Sequence, residues 1–453
     1  MKSLLFFLYS NATLPFKEQE TTMLVKRTQH AIGQGGFHVA EIQVDRSKFR
    51  YIYDCGARNT KGLVEIIETW PSTDKAFDWL VISSFDSDHL NCASELLDEG
   101  FTFKAVILPH LLNADLFKYI FLRYITDDLE IDELTRVTKV FRRIIAGDFG
   151  RVLPGEDRDG ITEAIDGDGL VSTKDLALDS VGHISKRSYK VKNADWMLRF
   201  YSVEVEAKDA IDKIFNAPDL TALKTTILEI GESLVKKVSE DKMQVLLDEV
   251  LTELKREVKM PATRTSAKKP AAQKKKTVKD ILNAACKTPE DGKGIIHDYN
   301  SASLCLYSGP VPEPYAHRDD SFICYRTCND QRKTRTLANR NGRAVGWMGV
   351  GDITFKNSAS TLGFIRYYFA ELALTGTRML PHHGAQSNYD PDLAQFRLFT
   401  STIPDGSLWV AAADPKAGGY RHPDGAIVAE CALSGTFHLV SADPTTTLQE
   451  VIG

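Results

Sequence analysis

Side chains able to hold a cation gather at five places along the chain. They are Tyr53-Asp54-Cys55-Gly56, Ser84-Phe85-Asp86-Ser87-Asp88-His89, Gly351-Asp352, His382-His383-Gly384 and Arg421-His422-Pro423. Asp and His supply oxygen and nitrogen donors, a set that suits zinc, manganese or iron. Asp86, Asp88 and His89 put three ionisable groups into four positions directly after an apolar run. Burying three such groups without a cation is costly, so packing alone accounts for them poorly. Asp352 follows the glycine-containing apolar run 345–350 in the same way. Asp54 and His422 also read as turn residues, the first capping a strand end and the second preceding a proline.

Elements must bring these groups together. Residues 49–53, 79–82, 345–350, 379–380 and 408–412 are β-type runs, and most of the five places sit just after one of them. A strand that ends in Asp or His projects that side chain from a sheet edge, and several such ends side by side make a cage. Residues 39–44 and 49–53 alternate around Asp45-Arg46-Ser47, a hairpin pattern. Residues 80–83 and 103–108 read as strands and 91–99 as a helix behind the Asp86–His89 loop. Residues 114–126 and 132–146 carry apolar positions three and four apart, the helical period. The same period over 221–258, with Leu223, Ile227, Ile230, Leu246 and Val250, predicts two helices broken near Ser239. Residues 196–205 read as a strand, and 148–192, rich in Gly and Asp, give no clear pattern.

In their order and placement these stretches resemble the metallo-β-lactamase fold, in the branch typified by the hydrolase domain of the competence DNA-uptake channel. The features that carry the resemblance are Gly33-Gln34-Gly35-Gly36, Asp54-Cys55-Gly56, the 84–89 loop, Asn300-Ser301-Ala302-Ser303-Leu304, Gly351-Asp352, His382-His383-Gly384 and His422-Pro423. They cover residues 24–112 and 295–453. The resemblance implies an α/β (α+β) chain folded as an αββα sandwich, with two mixed sheets face to face, helices outside and a long helical insertion. It implies metal ligands at Asp86, Asp88, His89, Asp352 and His383 (or, in its place, His382), with the other histidine of that pair contacting a substrate oxyanion or phosphate. Asp88 and His382 are the expected catalytic pair. Asp54 stands behind the ligands, and His422 is expected at the edge of the site.

One departure from the family pattern weighs heavily. Ser84 occupies the position of the first ligand histidine, and a serine hydroxyl is a poor donor at neutral pH. Cys92 also stands where a glycine is usual. A one-metal hydrolase, a two-metal site with a weak first metal, a degenerate site and an inactivated variant all stay open. His110 and His297 stand as candidates for the missing ligand. The cofactor expected is one or two divalent ions, Zn or Mn. Such an ion lowers the pKa of bound water from about 15.7 towards about 7, giving hydroxide at neutral pH. By resemblance the activity is phosphodiester hydrolysis of the nuclease type, weakened by Ser84. The competing reading is a catalytically defective scaffold or sensor that acts through partner proteins in a bacterial defence system.

Composition bounds the rest. The chain has 453 residues, 56 Lys and Arg against 61 Asp and Glu, and a formal charge of −5, so no global charge demands a nucleic acid. Seven cysteines without CxxC spacing fit free thiols in a reducing compartment. No apolar run approaches the roughly 20 residues of a membrane span. Leu4 to Tyr9 is too short for the apolar part of a signal peptide, which makes the cytoplasm the expected compartment and Met23 an alternative start.

The organisation expected is a tail (1–23), a first half-fold (24–112), a mainly helical insert (113–259), a basic flexible linker (260–279) and a second half-fold (280–453). The linker's Lys-rich run cannot offset its ordering entropy by burial, and basic runs bind phosphates through counterion release. The linker reads as a solvated tether between the insert and the second half-fold or as a polycationic arm that holds nucleic acid, and 317–343 as a substrate-facing basic loop over a plain surface loop. A partner protein is the candidate for the insert, which is expected beside the cleft.

Overall fold

A computed structural model describes residues 23–109, 131–154, 170–172, 187–191, 194–202, 221–235, 240–259, 275–278, 280, 303–312, 322–330, 333–404, 406–415 and 422–453. The chain opens with β1 (Met23–Gln29), β2 (Gly35–Val44), β3 (Ser47–Ala57), α1 (Thr60–Glu68), β4 (Ala76–Val81), α2 (Ser87–Leu90), α3 (Ala93–Asp98) and β5 (Thr102–Leu108). There follow α4 (Ile131–Ala146), β6 (Arg151–Pro154), β7 (Leu170–Ser172), β8 (Arg187–Val191), β9 (Trp196–Tyr201), α5 (Thr221–Val235), α6 (Glu240–Lys255), β10 (Glu257–Lys259) and β11 (Lys275–Thr277). The last third holds β12 (Cys305–Pro310), β13 (Phe322–Asp330), β14 (Lys333–Gly342), β15 (Gly346–Gly349), α7 (Ser358–Tyr367), α8 (Phe369–Leu374) and β16 (Thr375–Met379). It ends with α9 (Ala394–Thr400), β17 (Ser407–Ala412), α10 (Gly425–Ser434), β18 (Gly435–Val440) and β19 (Leu448–Ile452).

The class is mixed α/β. Among the described residues a nine-stranded sheet runs β14-β13-β19-β1-β2-β3-β4-β5-β6, and an eight-stranded sheet runs β18-β17-β16-β15-β12-β9-β8-β7. Both sheets are parallel at one end, β3 to β6 in the first and β15 to β18 in the second, and antiparallel elsewhere. The alternation in 39–53 produces the β2–β3 hairpin, with Asp45 at φ 53° in its turn. Buried side chains of both sheets share one core, in which Tyr53 and Trp79 of the first meet Phe200, Leu306 and Trp347 of the second. The outer face of the first sheet carries α1 and α3 to α6 through Leu63, Leu96, Val140, Ile227 and Val250. The outer face of the second carries α7 to α10 through Phe364, Leu372, Phe396 and Ile427.

The middle of the chain is more sheet-like than its composition implies. Residues 113–259, read as a mainly helical insert, also supply β6 to the first sheet and β7 to β9 to the second. β9 is buried along its whole length and pairs with β12. The Gly- and Asp-rich stretch before it hides short strands because neither period is sustained there. The basic stretch 317–343 is likewise no open loop where it is described, since β13 and β14 form a hairpin at the edge of the first sheet. Arg326 points inward from it, fully buried and 2.7 Å from Glu450. In the 260–279 stretch, β11 pairs with β10. Residues 260–274, the 114–126 helix, His110 and His297 lie outside the described residues. No helix among the described residues is long and apolar enough to cross a membrane.

Candidate metal centre

The parallel ends of the two sheets meet at one place, the position at which α/β sheets commonly bind ligands. Asp54 lies near the end of β3 in the left-handed region, at φ 62°. Two glycines make room around it. A Cβ on Gly36 would fall 2.5 Å from the Asp54 Cβ, and one on Gly56 would fall 2.4 Å from the backbone nitrogen of Leu90. The glycine-rich turn and Asp-Cys-Gly thus serve close approach of the Asp54 carboxylate and of α2.

α2 carries Asp88 and His89. The Asp54 Oδ2 lies 2.8 Å from His89 Nδ1, and Asp54 also accepts from the Ser83 backbone N–H at 2.6 Å and the Ser83 hydroxyl at 2.7 Å. This fixes the imidazole and turns Nε2 towards Asp352 Oδ1, 3.1 Å away. Burial alone would lower the His89 pKa, but the Asp352 and Asp54 carboxylates raise it well above its ordinary value. Burial raises and the nearby His89 and His382 lower the Asp352 pKa, and the net direction is well down. Asp88 is also lowered against its burial, chiefly by His383.

The second half of the chain closes the centre. Gly351 adopts φ 52°, and the following Asp352 N–H donates to Ser303 Oγ at 2.9 Å. The Asp352 carbonyl accepts from Asn388 Nδ2 at 2.7 Å. His382 and His383 both take left-handed conformations, φ 46° and 57°, and the His382 N–H donates to the Gly351 carbonyl at 3.0 Å. This tight turn aims His383 Nε2 at Asp88 Oδ2, 3.1 Å away. A Cβ on Gly384 would fall 2.7 Å from Pro423 Cβ, so the His422-Pro423 stretch packs onto the turn. The His382 and His422 rings lie 6.0 Å apart at the rim. Burial, reinforced by His382 and His383, lowers the His422 pKa to about 4.

Asp88, His89 and His383 offer ligand atoms that all lie within 4.8 Å of one another. One carboxylate and two imidazoles, one of them oriented from behind by a carboxylate, fit a divalent cation of the zinc or manganese kind. Donors on one ion at about 2.0–2.2 Å stand no more than about 4.4 Å apart, so the group needs only small side-chain shifts. Asp352 adjoins it through His89. Asp86 does not belong to this group; it occupies the N-cap position of α2. Ser84 is buried, and its hydroxyl accepts from the Asp86 N–H at 3.3 Å. Among the described residues this is the one cluster of metal-ligating side chains.

Three contributors carry no sequence signal of their own. Ser83 reads as the end of a strand, and Asn388 lies beyond His-His-Gly. Glu133 sits on the distant helix α4 and accepts from the Ser87 hydroxyl. Ser303 alone had a cue, in the Asn-x-x-Ser stretch. A cavity of about 30 Å³ lies beside His89 and His383, lined also by Tyr53, Asp54 and Trp347, and has room only for water-sized molecules. Of the three candidate ligands, Asp88 is the most open to solvent, its side chain 18% exposed against 4% for His89 and 6% for His383. No protein-family model matches this chain, and no curated protein matches it.

Proposed function

We propose that this chain is a metal-dependent hydrolase of the metallo-β-lactamase type, acting on phosphodiesters. The observation that carries the reading is the convergence of Asp88, His89 and His383 at the parallel ends of two facing sheets, with Asp352 against His89 and Asp54 behind it. A divalent ion supplies an acidified water and a positive charge for a phosphate oxygen. Asp88, His89, His383 and Asp352 are the residues that would hold it. Asp54 holds the Nδ1 side of the His89 ring, so that Nε2 is the nitrogen that would turn to a cation once its proton is displaced. His382 and His422, whose rings lie 6.0 Å apart, would meet an anionic group that approaches from outside. The αββα sandwich and the branch named above belong to the same proposal.

A second reading, a scaffold with a defective site, draws on Ser84, whose hydroxyl is engaged within its own loop. One experiment separates them. Metal content by inductively coupled plasma mass spectrometry and hydrolysis of bis(p-nitrophenyl) phosphate are measured for the natural chain and for Ser84→His. The hydrolase reading expects about one equivalent of metal in the natural chain, chelator-sensitive turnover, and a rise in both with the histidine. No metal and no turnover in either protein would give the case to the scaffold.

A further inference from the structure

We propose that Glu133 is a positioning residue for the turn that carries Asp88 and His89, and through that turn sets the affinity of the centre for a divalent cation. The link to cation affinity rests on the metal reading above; the positioning of the turn does not. α2 is a single turn of four residues, too short to hold itself. Asp86 takes its N-cap position but makes no capping bond with its side chain. The geometry of the turn is therefore imposed from outside.

It is held on two sides. On the sheet side, Asn91 accepts from the Ala57 N–H at 3.1 Å and donates to the Ala57 carbonyl at 2.9 Å, and the Cys92 N–H donates to the Cys55 carbonyl at 3.0 Å. On the other side stands α4. Glu133 Oε1 accepts from the hydroxyl of Ser87, the residue between Asp86 and Asp88, and the Phe141 ring meets Phe85 edge-on at 5.6 Å. α4 is itself anchored. Leu134, Val137, Val140, Phe141 and Ile144 enter the core under the first sheet. Arg143 reaches the Ser94 carbonyl at 2.8 Å and Asp98 at 2.7 Å, and Arg136 reaches Thr60 Oγ1 at 3.0 Å. Glu133 is thus presented from a fixed helix to the one hydroxyl lying between two carboxylates of the loop.

The test uses the full chain with Glu133→Ala, Ser87→Ala, their double variant and Glu133→Gln, which keeps the acceptor and removes the charge. Zn2+ alone is titrated by calorimetry, and amide exchange of residues 86–91 is followed on the metal-free proteins. Either alanine is expected to weaken Zn2+ binding about 10- to 100-fold, as loss of a partner behind a ligand does. The double variant should be no weaker than the worse single one, and Glu133→Gln should stay within about twofold of the natural chain. Exchange of the turn should quicken in the alanine variants while the melting temperature holds. Unchanged exchange in both alanine variants, or losses of affinity that add in the double variant, overturns the assignment. A chain that binds no Zn2+ but shows the faster exchange keeps the positioning role and sinks the metal reading instead.

Discussion

Asp54 decides what His89 can do. Its carboxylate takes the Nδ1 side of the ring, leaving Nε2 to face Asp352 and the remaining ligands. Asp54→Asn keeps the shape but loses the charge, and should weaken Zn2+ binding about 10- to 100-fold; a variant that binds as tightly as the natural chain would refute that role. The same geometry fixes the sign of the pH dependence. Without metal, His89 has a pKa raised above its unfolded value, against its burial, by Asp352 and Asp54. Its contribution to stability is therefore complete below about pH 6.5 and is lost as pH rises through the folded value. Asp352 and Asp88 have the opposite sign: their lowered values give stability above about pH 3.9 that is lost as pH falls through them. Binding of a cation must displace the His89 proton, so affinity should rise with pH across the His89 range and binding should release protons. Calorimetry in two buffers of different ionisation enthalpy reads that release directly, and equal heats in both would contradict it.

At the scale of elements, the turn and its seat are a fitted pair. Gly56 lets α2 approach β3, since its Cβ would lie 2.6 Å from both the Ser87 carbonyl oxygen and the Asp88 carbonyl carbon. Gly56→Ala meets backbone on every side, and should cost about 1–3 kcal/mol and displace the turn, read as a lower unfolding midpoint together with lost metal. Retained metal at unchanged stability would show that the seat is softer than this. Elements with a sustained period were legible in the sequence. They include the β2–β3 alternation and the helical spacing of α4, α5 and α6, while the break expected near Ser239 lies outside the described residues. So were the glycines, because their neighbours at Asp54 and His383 gave them a purpose. Short strands were not, since β6 to β8 span three to five residues each within a stretch of Gly and Asp. β13 was hidden by its own charge, because Phe322, Cys324 and Cys328 share their buried face with Arg326. Ser83, Asn388 and Glu133 were illegible for another reason. Each acts through a partner far along the chain, and no local pattern records that partner.

For the whole molecule, the two sheets are tied by a buried charge as well as by an apolar core. Glu450, on β19, lies 3.0 Å from Arg27 on β1 and 2.7 Å from Arg326 on β13, with both arginines fully buried. It also accepts from the Thr377 hydroxyl on β16 of the facing sheet. Arg27 reaches across as well, donating to the Val345 carbonyl at 2.8 Å. Removing one partner of such a group leaves buried charge uncompensated, so Glu450→Gln should cost about 3–5 kcal/mol. The exposed pair Lys48–Glu41, with the lysine side chain 51% exposed, gives the contrast, and Lys48→Met there should cost no more than about 1 kcal/mol. The two guanidiniums hold the Glu450 pKa below its ordinary value in spite of its burial. Its stabilisation is thus present above about pH 4.3 and lost as pH falls through the folded value. Urea unfolding at neutral pH and again near pH 4 measures both effects. The natural chain should lose stability on acidification, and Glu450→Gln should start lower and lose less. A Glu450→Gln midpoint equal to that of the natural chain would mean that the apolar core alone holds the two sheets together. Since the charged and hydrogen-bonding partners of Glu450 among the described residues are Arg27, Arg326, Cys324 and Thr377 and not Asp88, His89 or His383, the same variant should bind Zn2+ with the natural affinity wherever it stays folded, which separates the tie between the sheets from the candidate site.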